Sequence, residues 1–224
     1  MEKIRNLVVI IMTLFSLFAV AQIPVETLIG DKQTHFISYW QKDIDSAGKF
    51  NFFSLSRFAI DNREKAYNNF AIEGQMSYQI KNWLGISAGG AYAGNNFVPT
   101  VGLSLRYANK KGDFYIQSFP TVNLDEKKSF NFFGIVGYTP KISKNFGIFS
   151  QLIFGSNFQL DKTDIMPERE ILGLFTGHNQ STQLLRIGLD YKEKFQFGFG
   201  ADFNQFYKNQ GNFSNIGLFV RMNL

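Results

Sequence analysis

From residue 70 to its last residues the chain repeatedly alternates apolar and polar side chains with a period of two. Phe97, Pro99, Val101, Leu103, Leu105 and Tyr107 interleave with Thr100, Gly102, Ser104 and Arg106. Phe195, Phe197, Phe199, Ala201 and Phe203 interleave with Gln196, Gly198, Gly200, Asp202 and Asn204. Ile216, Leu218, Val220 and Met222 oppose Asn215, Gly217, Phe219 and Arg221, and the same scheme runs through Phe70–Ile80 and Leu185–Tyr191. Side chains of a strand point to opposite faces in turn, so these stretches predict strands. Eleven candidate strands start near residues 34, 50, 67, 84, 97, 113, 129, 146, 180, 195 and 213.

Alternation alone fits two architectures. A soluble sandwich buries its apolar face in a core, whereas a transmembrane barrel turns that face to lipid and its polar face to the lumen. Three features favour the barrel. The stretches run about ten residues, the length a tilted strand needs to cross the hydrocarbon. Aromatic residues gather at strand ends, at Tyr67, Tyr78, Trp83, Tyr92, Phe97, Tyr107, Phe114, Tyr138, Phe146, Phe158, Tyr191 and Phe195, as interfacial girdles do. Compact turns near residues 81–82, 109–113, 141–145 and 192–194 alternate with a mostly longer set of links at 61–66, 94–96, 124–128, 159–180 and 207–212. The short link at 94–96 breaks that pattern once.

The beginning of the chain changes the picture further. Lys3 and Arg5 precede an apolar run from Leu7 to Val20, and Ala19-Val20-Ala21 supplies a small-x-small cleavage pattern. The expectation is a cleaved signal peptide over 1–21 and a single barrel domain over 22–224, with a retained membrane anchor as the alternative. This leader and the alternating strands, the last of them ending at Val220-Arg221-Met222-Asn223-Leu224, resemble small outer-membrane β-barrel proteins of Gram-negative bacteria. The resemblance is architectural. It implies an all-β, antiparallel up-and-down transmembrane barrel in the outer membrane, with lipid around it and the barrel-assembly machinery as partner during biogenesis. Single-chain bacterial barrels use even strand numbers. Either Ile23–Gly30 adds a twelfth strand or His35–Lys42 lies outside the wall and leaves ten; twelve is expected, at about 17 residues per strand with its connection.

Composition removes several function classes. The 224 residues include no Cys, which excludes disulfides, cysteine-ligated metal and a thiol nucleophile. The net charge of +5 falls to +4 without the leader and is spread along the chain, so no nucleic-acid partner is expected. No cofactor fingerprint or metal-ligand spacing is found, and none is expected. The predicted inward face carries Arg57, Glu73, Arg106, Arg186, Asp190, Asp202 and Arg221. Of these, Arg186, Asp190, Asp202 and Arg221 lie on the last three strands and are expected to form one charge network that holds the barrel closed.

Three functions follow from this. The first is a structural, binding or accessory barrel without catalysis. The second is a channel for small solutes, anion-preferring if the arginines are free. The third is a lipid-modifying hydrolase, which needs a Ser and a His at the rim. His178-Asn179-Gln180-Ser181 meets a strand at the longest link and His35 stands three residues before Ser38; neither has the His-x-Ser spacing associated with outer-membrane lipid hydrolases, and solvated histidines are expected. The long link carries Asp161, Asp164, Glu168 and Glu170 and an apolar patch with Leu172 and Phe175, a candidate extracellular surface.

Overall fold

A computed structural model describes residues 23–63, 68–93, 96–125, 128–160, 177–206 and 212–223. Twelve strands form the wall: β1 (Pro24–Gly30), β2 (Gln33–Asp43), β3 (Phe50–Asp61), β4 (Asn69–Lys81), β5 (Leu84–Ala93), β6 (Asn96–Ala108), β7 (Phe114–Asn123), β8 (Ser129–Tyr138), β9 (Phe146–Gln159), β10 (Gly177–Tyr191), β11 (Phe195–Phe206) and β12 (Asn212–Asn223). Each pairs antiparallel with its sequence neighbours, and β1 pairs with β12, from Pro24↔Asn223 to Gly30↔Gly217. The sheet therefore closes on itself, which satisfies every strand edge without water. The weak stretch at the beginning of the chain is a strand, and so is His35–Lys42 as part of β2, which settles the count at twelve. Every start read from the pattern lies within three residues of the observed one.

The two rims differ. One holds the connections 44–49, 82–83, 109–113, 139–145 and 192–194 together with Pro24 and Asn223; we call it the turn side. The other holds 31–32, 62–68, 94–95, 124–128, 160–176 and 207–211, the loop side. The two-residue connection 31–32 is a second short link on the loop side, so the contrast in length is looser than the alternation implied. The three-residue hairpin on the turn side places both Lys192 and Glu193 at positive φ, 55° and 60°, and Lys194 N–H donates to Tyr191 O at 3.1 Å.

The outward face is apolar all the way round. Phe199 is 71% exposed and Ile29 67%, and Ile72, Met76, Ile86, Leu103, Ile148, Leu185, Ile187, Leu218 and Val220 are exposed beside them. A closed wall with such a surface is stable only against lipid. Ring contacts mark its turn-side margin: Phe50 on Tyr78 at 5.0 Å, Phe146 on Tyr191 at 5.1 Å, and Phe114 between Tyr107 and Tyr138 at 6.3 and 6.4 Å. Among the described residues no helix is long and apolar enough to span a bilayer; strands make the crossing.

Candidate functional site

The lumen of a twelve-stranded barrel lies between the side-chain-filled interior of eight strands and the water-filled bore of sixteen. Here its centre is crossed by charged side chains. Glu26, on β1, lies between two arginines: Oε1 accepts from Arg186 Nε at 2.6 Å and Oε2 accepts from Arg221, at Nε from 3.0 Å and also at Nη2. Arg186 Nη1 donates to Asp202 Oδ1 at 2.6 Å, and Asp202 Oδ2 lies 2.5 Å from His35 Nδ1. Arg221 continues to Gln151 Oε1 at 2.6 Å and to the Tyr39 hydroxyl at 3.1 Å, with its guanidinium 4.7 Å from the Phe149 ring centre. Gln151 Nε2 then donates to the Tyr39 and Tyr115 hydroxyls. Glu26, Arg186, Asp202 and Arg221 are at most 2% exposed. Two arginines against two carboxylates leave this cluster formally neutral, which is what permits burial.

Backbone geometry makes room for it. A Cβ at Gly200 would meet Leu28 Cδ1 at 2.6 Å and Arg186 Cδ at 3.1 Å, so the arginine lies across a glycine. Gly200→Ala is expected to lower stability by about 1–3 kcal/mol, the range for overpacking. The midpoint of urea unfolding in lipid vesicles reads this, and an unchanged midpoint would show that Arg186 moves aside freely.

The sequence-predicted residues fall in different places. Arg186 and Asp202 pair directly, Glu26 joins them to Arg221, and His35 contacts Asp202; Glu26 and His35 are members the pattern analysis left out. Glu26 escaped because β1 is only seven residues and weakly patterned, and His35 because it was read as solvated. Asp190 is not part of the cluster. It accepts from Gln196 Nε2 at 3.0 Å and from Glu193 N–H at 3.1 Å, and so caps the 192–194 turn. Arg106 sits at the turn-side rim, where it donates to Asp43 at 3.1 Å and to the carbonyls of Gly48 and Asn82, pinning two connections. Arg57 and Glu73 face a loop-side cavity. Asp161, Asp164, Glu168, Glu170, Leu172 and Phe175 lie outside the described residues.

The inward face is less polar than the alternation suggested. Phe53, Phe119 and Phe133 stack with centroids 5.0, 5.7 and 6.4 Å apart, and Ile37, Leu55, Ile135, Ile153 and Leu184 complete the cluster. Leu28, Phe149 and Phe219 form a second one. Cavities lined by both polar and apolar side chains lie toward both ends, with this packed middle between them. On the loop side one of 240 Å³ holds Arg57, Glu73 and several amides, and one of 490 Å³ shares Arg57, Gln180 and Thr182 with it. On the turn side cavities of 750 and 550 Å³ lie beside Asp190 and Arg106.

At the loop-side rim of β10, the other histidine is bonded rather than merely solvated. His178 Nε2 and Ser181 Oγ lie 2.6 Å apart, and Ser181 Oγ also meets Ser156 Oγ at 2.8 Å. The irregularity between His178 and Gln180 brings the pair onto one face. Ser181 is 8% exposed, and among the described residues no carboxylate orients the second ring nitrogen, as a triad requires.

No family model matches the sequence, and no curated protein matches it. Solved structures do. A NanC porin superposes with a TM-score of 0.52 at 10% sequence identity, covering 92% of this chain and 99% of its own. A KdgM porin in complex with disordered oligogalacturonate gives 0.46 at 12% identity, covering 90% and 98%. At such identities the likeness is one of fold. The fold of this chain is that of a small outer-membrane β-barrel.

Proposed function

We propose that the protein is an outer-membrane channel for small polar solutes whose passage is closed at its middle. The observation that carries this reading is the set of cavities toward opposite rims, with the packed apolar clusters and the buried charged cluster between them. The fold shared with the NanC porin supports it. Anion preference built on four inward arginines finds no support, because Arg186, Arg221 and Arg106 are each matched by a carboxylate. In this reading residues 22–224 are one domain left by leader cleavage, inserted by the barrel-assembly machinery and bounded by lipid.

Swelling of barrel-loaded liposomes tests the channel. Small neutral sugars and amino acids are expected to enter faster than into protein-free liposomes, with brief openings in planar bilayers. A second reading, a non-conducting structural barrel, is favoured by the packed and neutral centre of the lumen. No swelling and no current from a barrel whose mobility on a gel changes on boiling would leave only that second reading.

A further inference from the structure

Arg57 on β3 and Glu73 on β4 are an unusual pair in this lumen. Leu55 pairs with Glu73 and Arg57 with Ala71, so the two charged residues are diagonal neighbours on one face, at a typical spacing of about 7–8 Å. They are close enough to sense each other, yet among the described residues neither makes an ion pair, while Arg186, Arg221 and Arg106 all do. Both line the 240 Å³ loop-side cavity, and among the described residues no other ionisable side chain lines it. Among the described residues the adjoining 490 Å³ cavity adds only His35, which is engaged by Asp202.

Part of the neutral wall is already committed to itself. Asn157 Nδ2 donates to Asn131 Oδ1 at 2.5 Å, Asn131 donates to Asn123, and Asn123 Nδ2 reaches Ser129 Oγ at 2.7 Å. Among the described residues, Arg57 and Glu73 are the charged groups that can meet an occupant there. Glu73 is hydrogen-bonded by the neutral amide of Gln75, which supplies no counter-charge, and a half-buried charge without an ion-pair partner is unfavourable, so an occupant that brings both counter-charges gains most. A simple anion would satisfy Arg57 and be repelled by Glu73; a simple cation would meet the reverse. A carboxylate takes a planar guanidinium in a two-bond fork, and an ammonium takes a carboxylate. The cavity lies just below the usual range of about 300–1,000 Å³ for drug-sized ligands, which suits a smaller molecule.

We propose that the cavity between Arg57 and Glu73 is a binding site for a small zwitterion, a free α-amino acid, with its carboxylate on Arg57 and its ammonium on Glu73. The inference rests on the loop-side cavity being the solute entrance. Binding is read without transport, so alanine binding in a barrel that conducts nothing would sink the channel alone, and conduction without alanine binding would sink this inference alone.

The test is equilibrium binding of radiolabelled alanine to the folded full-length barrel in detergent micelles, with acetate and methylammonium as competitors. Alanine is expected to bind at least tenfold more tightly than either competitor. Arg57→Gln should weaken alanine tenfold or more and improve methylammonium; Glu73→Gln should weaken alanine similarly and improve acetate. The boiling-dependent gel shift confirms that each variant is folded. Acetate binding to the parent as tightly as alanine would mean that Arg57 acts alone as an anion site, and alanine binding unaffected by either substitution would place it elsewhere; both overturn the proposal.

Discussion

Glu26→Gln is expected to destabilise the barrel more than any other single charge substitution in the lumen. Glu26 is 1% exposed and, among the described residues, is the only group that bonds both Arg186 and Arg221. Its neutralisation leaves two buried guanidiniums against Asp202 alone. Removing one partner of a buried pair typically costs about 3–5 kcal/mol, because the remaining charge stays desolvated. Water admitted from the cavities toward either rim would reduce that figure. The urea midpoint in vesicles, followed through Trp40 and Trp83 fluorescence, should fall clearly. Within the same cluster, Asp202→Asn with Arg186→Gln should lose less than the two singles combined, since contacting charges are coupled. A Glu26→Gln barrel as stable as its parent, with additive losses in the second pair, would mean that these groups are separately hydrated.

Phe119→Ala should have an effect of similar size and open a passage as well. Phe119 is fully buried between Phe53 and Phe133, and its ring lies in the packed apolar cluster between the cavities toward opposite rims. Large-to-small changes at such sites cost about 3–5 kcal/mol for Phe, from lost transfer energy and the cavity left behind. In a barrel the wall is tied by interstrand hydrogen bonds and collapses poorly into the space, so the cavity persists. Steady current in planar bilayers, absent or brief in the parent, is the expected second readout. A destabilised variant that still passes no current would show that the charged cluster seals the lumen by itself.

Much of the fold was legible because it depends on a local rule. Alternation assigns each residue to one of two faces whatever surrounds it, and ten-residue spacing with aromatic ends sets the spans against the bilayer. Thus Leu185, Ile187, Phe197, Phe199, Leu218 and Val220 were expected toward lipid, and all six are on the exposed face. Which side chains meet across the lumen is not local. His35 and Asp202, or Arg221 and Gln151, are far apart in sequence and on strands brought together only by closure and register. Phe53, Phe119, Phe133 and Phe219 point inward by the same period that sends polar residues there, so the pattern alone made the interior wetter than it is.

The sequence by itself determined the strands, their faces and the transmembrane barrel, because these follow from a two-residue period and from the thickness of the hydrocarbon. Only the tertiary structure decided that β1 closes the wall with β12 and thereby carries Glu26 to Arg186 and Arg221. It also decided that Asp190 and Arg106 serve the turns and that Arg57 and Glu73 are left without ion-pair partners among the described residues. The physical reason is that ion pairing depends on distances of a few ångströms across a closed sheet, and those distances are set by strand number and register.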